Sequence, residues 1–418
     1  MSRCELKANL HVHTTFSDGS RSVGDILTDP GRRGLDILGI TDHETMKAAT
    51  WAGMHEGVLV FPGIELHNLR NHLLVYGVPE SALVSDEDRP QRAIDAVIAA
   101  GGASFIAHPH DRDCPMMPAF CACPWTEMNV TGFDGIEIWN FMSRWKAEAR
   151  DMESAMERIK DPIHTFPGPE IETMRLWDTW SRTRKVVAVG GSDAHGHNFM
   201  HQGRNIEVFP YWFMLNSINT HIQLDDPLPR GNYAEAARRV LAALKTGASF
   251  VAHDNLMDAQ GFDFRAELPR NRMAQDVSRC GSSTVRNVPG VRDEQDLGEN
   301  RTLNAQDIGK AGNPNKPHYP LRMGDETKWV QDLELVTECR TSAQFRILRN
   351  GETFQTGAGF KFSCLTNGPG VYRIEVSLLL PHVRPLRSIS GKSDSSTDDT
   401  NGDFKAFPWI FSNPIFLR

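Results

Sequence analysis

The sequence has no long hydrophobic run, little cysteine and no excess of positive charge. No stretch approaches the ~18 consecutive apolar residues that a membrane-spanning helix needs, and the first residues lack the apolar stretch of a secretory signal. The seven cysteines are few and odd in number for 418 residues, which favours reduced thiols over a disulfide framework. The net charge of −8 argues against a protein that grips nucleic-acid backbone. We therefore expect a cytoplasmic protein without membrane or stable nucleic-acid binding.

The chain does contain an ordinary globular composition and enough residues for two units. Hydrophobic residues make up 40% and charged residues 23%. Residues 1–257 alternate apolar runs with helical patterns, which predicts a mostly parallel α/β sheet, open or closed into a barrel. In barrels of this type the chemistry collects at the C-terminal ends of the strands. The predicted strands are residues 6–13, 36–41, 58–66, 73–78, 104–108, 135–139, 186–189 and 249–252, and the predicted helices are 89–100, 145–160, 173–182 and 233–246.

Beyond residue 257 the pattern changes to short strands separated by turns. Asn350-Gly351 is a hairpin signal, and a second turn signal covers residues 367–370. We expect a long polar insertion at about 270–320 and a mobile low-complexity loop at about 388–403. Residues 258–418 are thus predicted to form a β-rich, sandwich-like domain. Its predicted strands are 329–337, 344–348, 359–364, 371–379 and 409–417.

Histidines and carboxylates recur where the predicted strands of the first unit end. His11 and His13 lie two apart on a strand, so their side chains point to the same face. A parallel sheet brings such strand ends to one rim, where crowded imidazoles and carboxylates are costly unless a cation organises them. A multinuclear metal site is therefore the economical interpretation. The residues at these positions are His11, His13, Asp18, His43, Glu65, His72, His108, Asp193 and His195.

The order of these motifs over residues 6–257 resembles the signature of the PHP superfamily, the polymerase-and-histidinol-phosphatase metallohydrolases. The matching segments read HxHTxxSDG, TDHE, PGIE, AHPH and GSDAHG. The resemblance implies a distorted (β/α)7 barrel with two or three divalent ions, zinc, manganese or iron, at its C-terminal rim. It also implies that Glu65 bridges two ions, the second of which takes His108. The ligands it implies for the first ion are His11, His13, Glu65 and Asp193, and those for the third are Asp18, His43 and His195.

One strand departs from the family pattern. Many members supply a further histidine ligand on the strand after the AHPH motif, whereas Gly135–Asn140 contains none. Glu137, Asn140 and His164 are the candidates to replace it, and the number of ions stays open between two and three. The candidates for proton transfer are Asp193, His72 and His195.

The expected function is a metal-dependent hydrolase of phosphate esters of small molecules or nucleotides. Residues 253–264 and 408–415 resemble the CehA/McbA-type branch, in which a β-sandwich follows the barrel, and this favours carbamate, ester or amide hydrolysis as the alternative. A non-catalytic, metal-stabilised binding module is the second alternative. Arg144 and Arg112 are candidates to pair with phosphate oxygens unless they are solvated surface residues. Trp139 is a candidate to line the substrate pocket unless it packs in the core. The oligomeric state is left open.

Overall fold

A computed structural model describes residues 4–32, 34–114, 121–229, 231–269, 320–381 and 404–418. The predictions for residues 388–403 and for nearly all of 270–320 fall outside these ranges. No helix in the described part of the chain is long and apolar enough to cross a membrane. The elements before residue 257 are β1 (Cys4–Val12), α1 (Val23–Thr28), β2 (Ile37–Ile40), β3 (Gly53–His55), β4 (Val58–Leu66), β5 (Leu73–Tyr76), α2 (Pro90–Ala99), β6 (Ala103–Ile106), β7 (Gly135–Asn140), α3 (Phe141–Glu148), α4 (Met152–Lys160), α5 (Ile171–Thr183), β8 (Val187–Gly191), β9 (His197–His201), β10 (Arg204–Val208), α6 (Tyr211–Met214), β11 (Ile218–Leu224), α7 (Tyr233–Thr246) and β12 (Ser249–His253).

The strands that carry the motifs form a ring. Parallel pairing joins β1 to β2, β2 to β4, β6 to β7 and β7 to β8, while β5 runs antiparallel to both β4 and β6. The ring closes where the residues after β8 meet β1: the Asp193 amide donates to the His11 carbonyl at 2.8 Å, and the His13 amide donates to the Ala194 carbonyl at 3.0 Å. The prediction of an α/β unit with parallel core strands is confirmed, and the motif residues lie at one end of the ring.

The helix predicted over residues 145–160 is wrong as a single element. The structure has two helices, α3 and α4, with a break between Ala149 and Asp151. Asp151 caps the second helix because its carboxylate accepts from the Ser154 amide, and the Ser154 side chain bonds back to the cap. By contrast, α7 covers the predicted residues 233–246 and ends at Gly247, whose φ of 80° is the left-handed conformation that terminates helices.

The C-terminal part is a largely antiparallel strand region, which confirms that it is rich in strands, while the sandwich arrangement stays a prediction. The strands predicted at 329–337 and 344–348 are one long strand, β16, because the chain continues through a register irregularity between Glu338 and Ala343. There β16 changes partners from β13 to β18 along one edge, while β17 follows the other edge. The elements are β13 (Asp263–Glu267), β14 (Leu321–Arg322), β15 (Glu326–Thr327), β16 (Glu334–Arg349), β17 (Glu352–Leu365), β18 (Gly370–Pro381), β19 (Phe404–Ser412) and β20 (Ile415–Leu417).

The two parts of the chain are joined through shared pairing and buried polar contacts. β12 pairs with β11 on one side and with β19 on the other. Asp178 of α5 accepts two hydrogen bonds from the guanidinium of Arg373, both at 2.7 Å, and Arg373 is buried. The Asn413 side chain bonds to the backbone of Ala188 in β8. The predicted division between 1–257 and 258–418 stays a prediction, and experiments on the site should use the full chain.

His221 offers a pH-dependent test of this packing, because it is buried between two carboxylates. Its Nδ1 lies 2.8 Å from Glu5 Oε1 and its Nε2 lies 3.0 Å from Asp254 Oδ2. Burial lowers the pKa of His221, but Asp254 and Glu5 raise it more, to about 9. A pKa raised on folding stabilises the protein fully below the unfolded value of about 6.5, and this stabilisation is lost as the pH rises through about 9.

We therefore expect His221→Gln to destabilise the protein much more in mild acid than in strong base. The difference between the two conditions should be on the order of 3 kcal/mol in the free energy of unfolding. Denaturant unfolding of both proteins at about pH 6 and about pH 10 measures it, with the wild type in each buffer as the control. An equal destabilisation at both pH values would show that His221 is not held protonated by its neighbours.

Candidate metal centre

The end of β1 and the loop after it place the first candidate ligands. His11 and His13 are fully buried. β8 can lie directly against His11 because position 191 is glycine: a Cβ there would lie 2.5 Å from the His11 Cβ. The loop that carries Asp18 is fixed by Asp42, whose carboxylate accepts from the Thr14 amide at 2.7 Å and from the Ser17 hydroxyl at 2.8 Å. Asp42 therefore shapes the site without taking part in it.

Unusual backbone conformations concentrate around these strand ends. Non-glycine residues rarely adopt a positive φ, and where they do the strain is often stored at a functional site. Five such residues follow the motif strands or lie in the adjoining loops. They are Glu44 (φ 51°), His67 (76°), Asn71 (56°), His108 (21°) and Asp193 (59°).

Glu65 is the centre of the cluster. It ends β4 and is buried, with a side-chain exposure of 1%. Its two carboxylate oxygens lie within 3.4 Å of ring nitrogens from five histidines. The distances are 2.7 Å to His72, 3.1 Å to His11, 3.1 Å to His108, 3.2 Å to His13 and 3.4 Å to His43. One negative charge therefore lies beside five imidazoles, which come from four segments of the chain.

The candidate ligands form three groups that share members. In each group the ligand atoms all lie within 4.8 Å of one another. Glu65 belongs to two of the groups, and so do His13 and His43. His108 lies outside the groups but contacts Glu65, and His72 stands in the third group. The groups are His11, His13, Glu65 and Asp193; His13, Asp18, His43 and His195; and His43, Glu65 and His72.

The unpaired atoms of the cluster fit a bound cation. The His13 Nε2 lies 3.2 Å from both Glu65 Oε2 and Asp193 Oδ1, yet this buried nitrogen makes no hydrogen bond. Asp193 Oδ1, His43 Nδ1 and His72 Nε2 are also buried without a partner among the described residues. Buried polar atoms almost always have a hydrogen-bond partner, so several unpaired ones in one cluster need an explanation. Imidazole nitrogen and carboxylate oxygen are ligands of zinc, manganese and iron. A divalent ion bound by these atoms would explain why they lack hydrogen-bond partners.

Without a metal, protonated histidines balance the negative charges of the carboxylates in the cluster. Burial lowers the pKa of His13, but Asp193 and Glu65 raise it more, to about 10. Burial likewise lowers the pKa of His108, which Glu65 raises to about 9. His43 differs, because burial lowers its pKa to about 3. Metal binding requires neutral imidazoles, so an ion entering the cluster must displace protons, and its affinity should rise with pH.

Glu137, a candidate replacement ligand, is committed to hydrogen bonds with the protein. Its oxygens accept from His11 Nδ1 at 2.9 Å, from the His108 amide at 3.1 Å and from Asn140 Nδ2 at 3.0 Å. When Nδ1 of a neutral His11 carries the proton and donates it to Glu137, the Nε2 lone pair on the side of Glu65 and Asp193 can bind a metal. Asn140 is committed as well, since its Oδ1 caps α3 by accepting from the Ser143 amide at 2.8 Å. In this structure both residues orient the candidate ligands.

We expect Glu137→Gln to weaken metal binding about 10- to 100-fold with little change in the fold. Three donors meet the two oxygens of Glu137, and glutamine would turn an amide N–H₂ toward one of those donors. Competition with a coloured chelator measures the affinity. Glu172→Gln, a substitution of a half-exposed glutamate on α5, is the control. Unchanged affinity in the Glu137 variant would mean that the carboxylate does not support His11.

Four predicted site residues lie away from the cluster. Arg144 pairs with Glu148 at 2.9 Å and with Glu170 at 3.0 Å. Arg112 is 56% exposed and lies beside Glu170 and Glu172. Trp139 is buried, in ring contact with Phe166, His253 and Phe411. His164 is exposed and its Nδ1 lies 2.9 Å from Asp161.

A cavity of about 200 Å³ opens on the cluster and contains residues that the sequence analysis did not single out as site residues. Glu65, Asp193 and His195 line one side. Other lining residues come from α3 and from the loop after β6, and they include Asp111, Met142, Ser143, Trp145 and Lys146. His197 stacks on His195 with ring centroids 4.5 Å apart, and burial lowers its pKa to about 4. The phase of α3 could have identified Lys146, since Met142, Trp145 and Lys146 share one face of the helix.

Comparisons with known proteins give short or distant similarities. No protein-family model matches the chain. Over 83 residues the chain is 37% identical to the phosphoribosyl 1,2-cyclic phosphate 1,2-diphosphodiesterase of Eggerthella lenta, a match that covers 18% of this chain and 32% of that protein. An uncharacterized protein of Methanocaldococcus jannaschii is 23% identical over 158 residues, covering 33% of this chain and 84% of that protein. The chain thus spans about a third of the length of the first of these relatives.

Among solved structures, the chain is similar to a two-domain protein from Bacteroides vulgatus that contains a predicted PHP-like metal-dependent phosphoesterase. The similarity covers 89% of this chain and 90% of that one, with 12% sequence identity and a TM-score of 0.37. That TM-score is too low to establish a shared fold.

Proposed function

We propose that this chain is a metal-dependent hydrolase of the PHP type that cleaves phosphate esters of small molecules or nucleotides. One observation carries the proposal: three groups of candidate metal ligands meet at the buried residues His13 and Glu65. The motif order and the short similarity to a cyclic-phosphate diphosphodiesterase support the same class. In this proposal the seven-stranded ring is the (β/α)7 barrel of the family, and the antiparallel strand region is its appended β-sandwich.

In this proposal some residues of the site bind metal ions and others orient the ligands or line the cavity. His11, His13, Glu65 and Asp193 would hold one ion, Glu65 and His108 would hold a second, and Asp18, His43 and His195 would hold a third. Two or three divalent ions would polarise the scissile group and acidify water. Glu137 and Asn140 keep His11 and Asp193 oriented, and Met142 and Trp145 cover the cavity with apolar surface.

We assign to His72 the transfer of a proton to the leaving oxygen. It lines the cavity, its Nδ1 lies 2.7 Å from Glu65 Oε1, and its Nε2 is buried without a partner among the described residues. The Glu65 contact fixes the ring, so Nε2 presents itself to a bound group in one orientation. We assign Asp193 and His195 to metal binding and not to proton transfer, because each belongs to a group of candidate ligands. His195 Nε2 lies 3.3 Å from Asp18 Oδ1, a candidate ligand of the same group.

Hydrolysis of carbamates, esters or amides is the second candidate. The observation that favours it is the apolar part of the wall, Met142 and Trp145, which suits an aromatic leaving group. The resemblance of residues 253–264 and 408–415 to the CehA/McbA-type branch points the same way. Both candidates use the same cluster, and they differ in the bond that is cleaved.

The experiment is a substrate panel run on full-length protein with measured metal content. Phosphomonoesters, phosphodiesters and aryl carbamates are supplied to protein loaded with zinc, manganese or iron(II). We expect metal-dependent turnover of phosphate esters. Turnover of carbamates alone would favour the second candidate, and bound metal without turnover of any substrate would favour a binding module.

A further inference from the structure

A single lysine among the described residues lines the cavity that opens on the candidate metal centre. Lys146 lines the same cavity as Glu65 and Asp193, and it is the one lysine or arginine among the described residues that do so. The remaining charged side chains there, apart from histidines, are Asp18, Glu65, Asp111 and Asp193. Among the described residues, a negatively charged substrate group that enters the cavity therefore meets one lysine and no arginine.

Lys146 is fixed in place by an unusually well-anchored carboxylate. Its Nζ lies 2.6 Å from Asp111 Oδ2, and the side chains are 15% and 3% exposed. Asp111 also accepts from the Ser143 hydroxyl at 2.6 Å and from the Cys123 amide at 2.9 Å. The lysine is therefore not the only group that balances the charge of Asp111. Lys146 carries three N–H donors, of which Asp111 and the Cys121 carbonyl at 3.4 Å take two.

One N–H of Lys146 has no acceptor in the described part of the chain, because the other two meet Asp111 and the Cys121 carbonyl. Phosphate oxygens are acceptors that fit such a cationic donor. The neighbouring Trp145 also lines the cavity, but its indole Nε1 is buried and is out of reach of a ligand there. Lys146 is therefore the residue of α3 that can donate to a bound anion.

We propose that Lys146 binds a non-bridging phosphate oxygen and makes this site select phosphate esters over uncharged esters and carbamates. The inference rests on the proposed function and names its substrate class. The cavity, at about 200 Å³, is smaller than the ~300–1,000 Å³ of sites that enclose a whole small molecule. It has room for the reacting group and the atoms next to it, so the charge that Lys146 meets is that of the reacting group.

A purely structural role for Lys146 makes a different prediction. The Lys146–Asp111 pair also fastens α3 to the loop after β6, and loss of that fastening would affect every substrate alike. Recognition of charge instead predicts an effect confined to anionic ligands. The two roles are separated by comparing a charged ligand with an uncharged one on the same variant.

The test measures binding of inorganic phosphate to metal-loaded full-length protein by calorimetry, together with KM for p-nitrophenyl phosphate and p-nitrophenyl acetate. Lys146→Gln should weaken phosphate binding and raise KM for the phosphate ester about 10- to 100-fold, with KM for the acetate unchanged. Lys146→Arg should recover most of the binding. Lys245→Gln is the control: Lys245 lies on α7 and pairs with Asp134, and its loss should change neither phosphate binding nor either KM.

Each outcome decides one of the two proposals. Phosphate binding equal to wild type in Lys146→Gln, or an equal change in KM for both esters, would overturn the role of Lys146. If Lys146→Gln does not fold, Lys146→Met, which keeps an apolar stem, takes its place in the same measurements. A wild type that binds phosphate through Lys146 but hydrolyses no phosphate ester would refute the proposed function and leave the anion site standing.

Discussion

Replacement of Glu65 by glutamine is expected to release bound divalent metal and to lower kcat by more than the ~10- to 100-fold that loss of an outer hydrogen-bond partner costs. The carboxylate contacts five histidines and belongs to two of the three ligand groups. Glutamine keeps the shape, but it removes the negative charge that the proposed function puts between two ions, and its amide is a weaker ligand. Loss of this one charge should therefore affect two ions at once. Metal content and kcat of Glu65→Gln measure both consequences.

Asp18→Asn is the matched comparison for Glu65→Gln. Asp18 is also a candidate ligand, but it belongs to one group and its side chain is 50% exposed, against 1% for Glu65. Solvent screens an exposed charge, and its loss concerns a single outer ion. With the same metal supply, Asp18→Asn should retain more metal and more activity than Glu65→Gln. Greater damage from Asp18→Asn on both counts would mean that Glu65 is not the bridge.

Asp193→Asn should be the second most damaging substitution. Asp193 Oδ1 lies 3.2 Å from His13 Nε2 and 3.3 Å from His11 Nε2, and it has no hydrogen-bond partner among the described residues. Asparagine tolerates the left-handed backbone of this position, with its φ of 59°, better than most residues. The change therefore isolates the charge from the backbone. We expect kcat to fall at least about 100-fold with an unchanged circular dichroism spectrum.

Ser192→Ala provides a neighbouring control for Asp193→Asn. The Ser192 hydroxyl bonds to Asn9 Oδ1 at 2.9 Å and to the His11 backbone carbonyl at 3.2 Å, and neither acceptor is a candidate ligand atom. Its loss should cost stability and leave the metal content as it is in the wild type. Wild-type turnover in Asp193→Asn, with its fold intact, would remove Asp193 from the ligand set.

The sequence predicts the rim of the site well because the rim depends on local rules. Strand alternation brings His11 and His13 to one face, and parallel strands bring their ends to one edge. The central position of Glu65 does not follow from these local rules, and at the level of sequence only the family resemblance implies it. It requires β5 to run antiparallel, which returns His72 toward Glu65, and a strand's direction depends on pairing with residues far along the chain. The β9–β10 hairpin, which brings His197 beside the cluster, depends on tertiary contacts in the same way.

The choice between Arg144 and Lys146 shows where residue type alone misleads. The residues lie two apart on α3, about 200° around the helix, and thus on opposite faces. Arg144 faces Glu148 and Glu170, whereas Lys146 faces the cavity. Helix phase would have separated them if the start of α3 at Phe141 had been known, but the predicted helix began at residue 145 and ran across the break at 149–151. Asn140 caps α3 and so sets its first residue, but from the sequence Asn140 is interpreted only as a candidate metal ligand.

Metal dependence of hydrolysis is the most direct test of the account. Full-length protein is stripped with a chelator, its metal content is measured, and zinc, manganese or iron(II) is returned in steps while phosphate ester hydrolysis and bound metal are followed together. We predict no hydrolysis in the stripped protein and recovery in proportion to bound metal, with the maximum reached at two or more ions per chain. Stripped protein that holds no metal and still hydrolyses phosphate esters at the untreated rate would contradict the account.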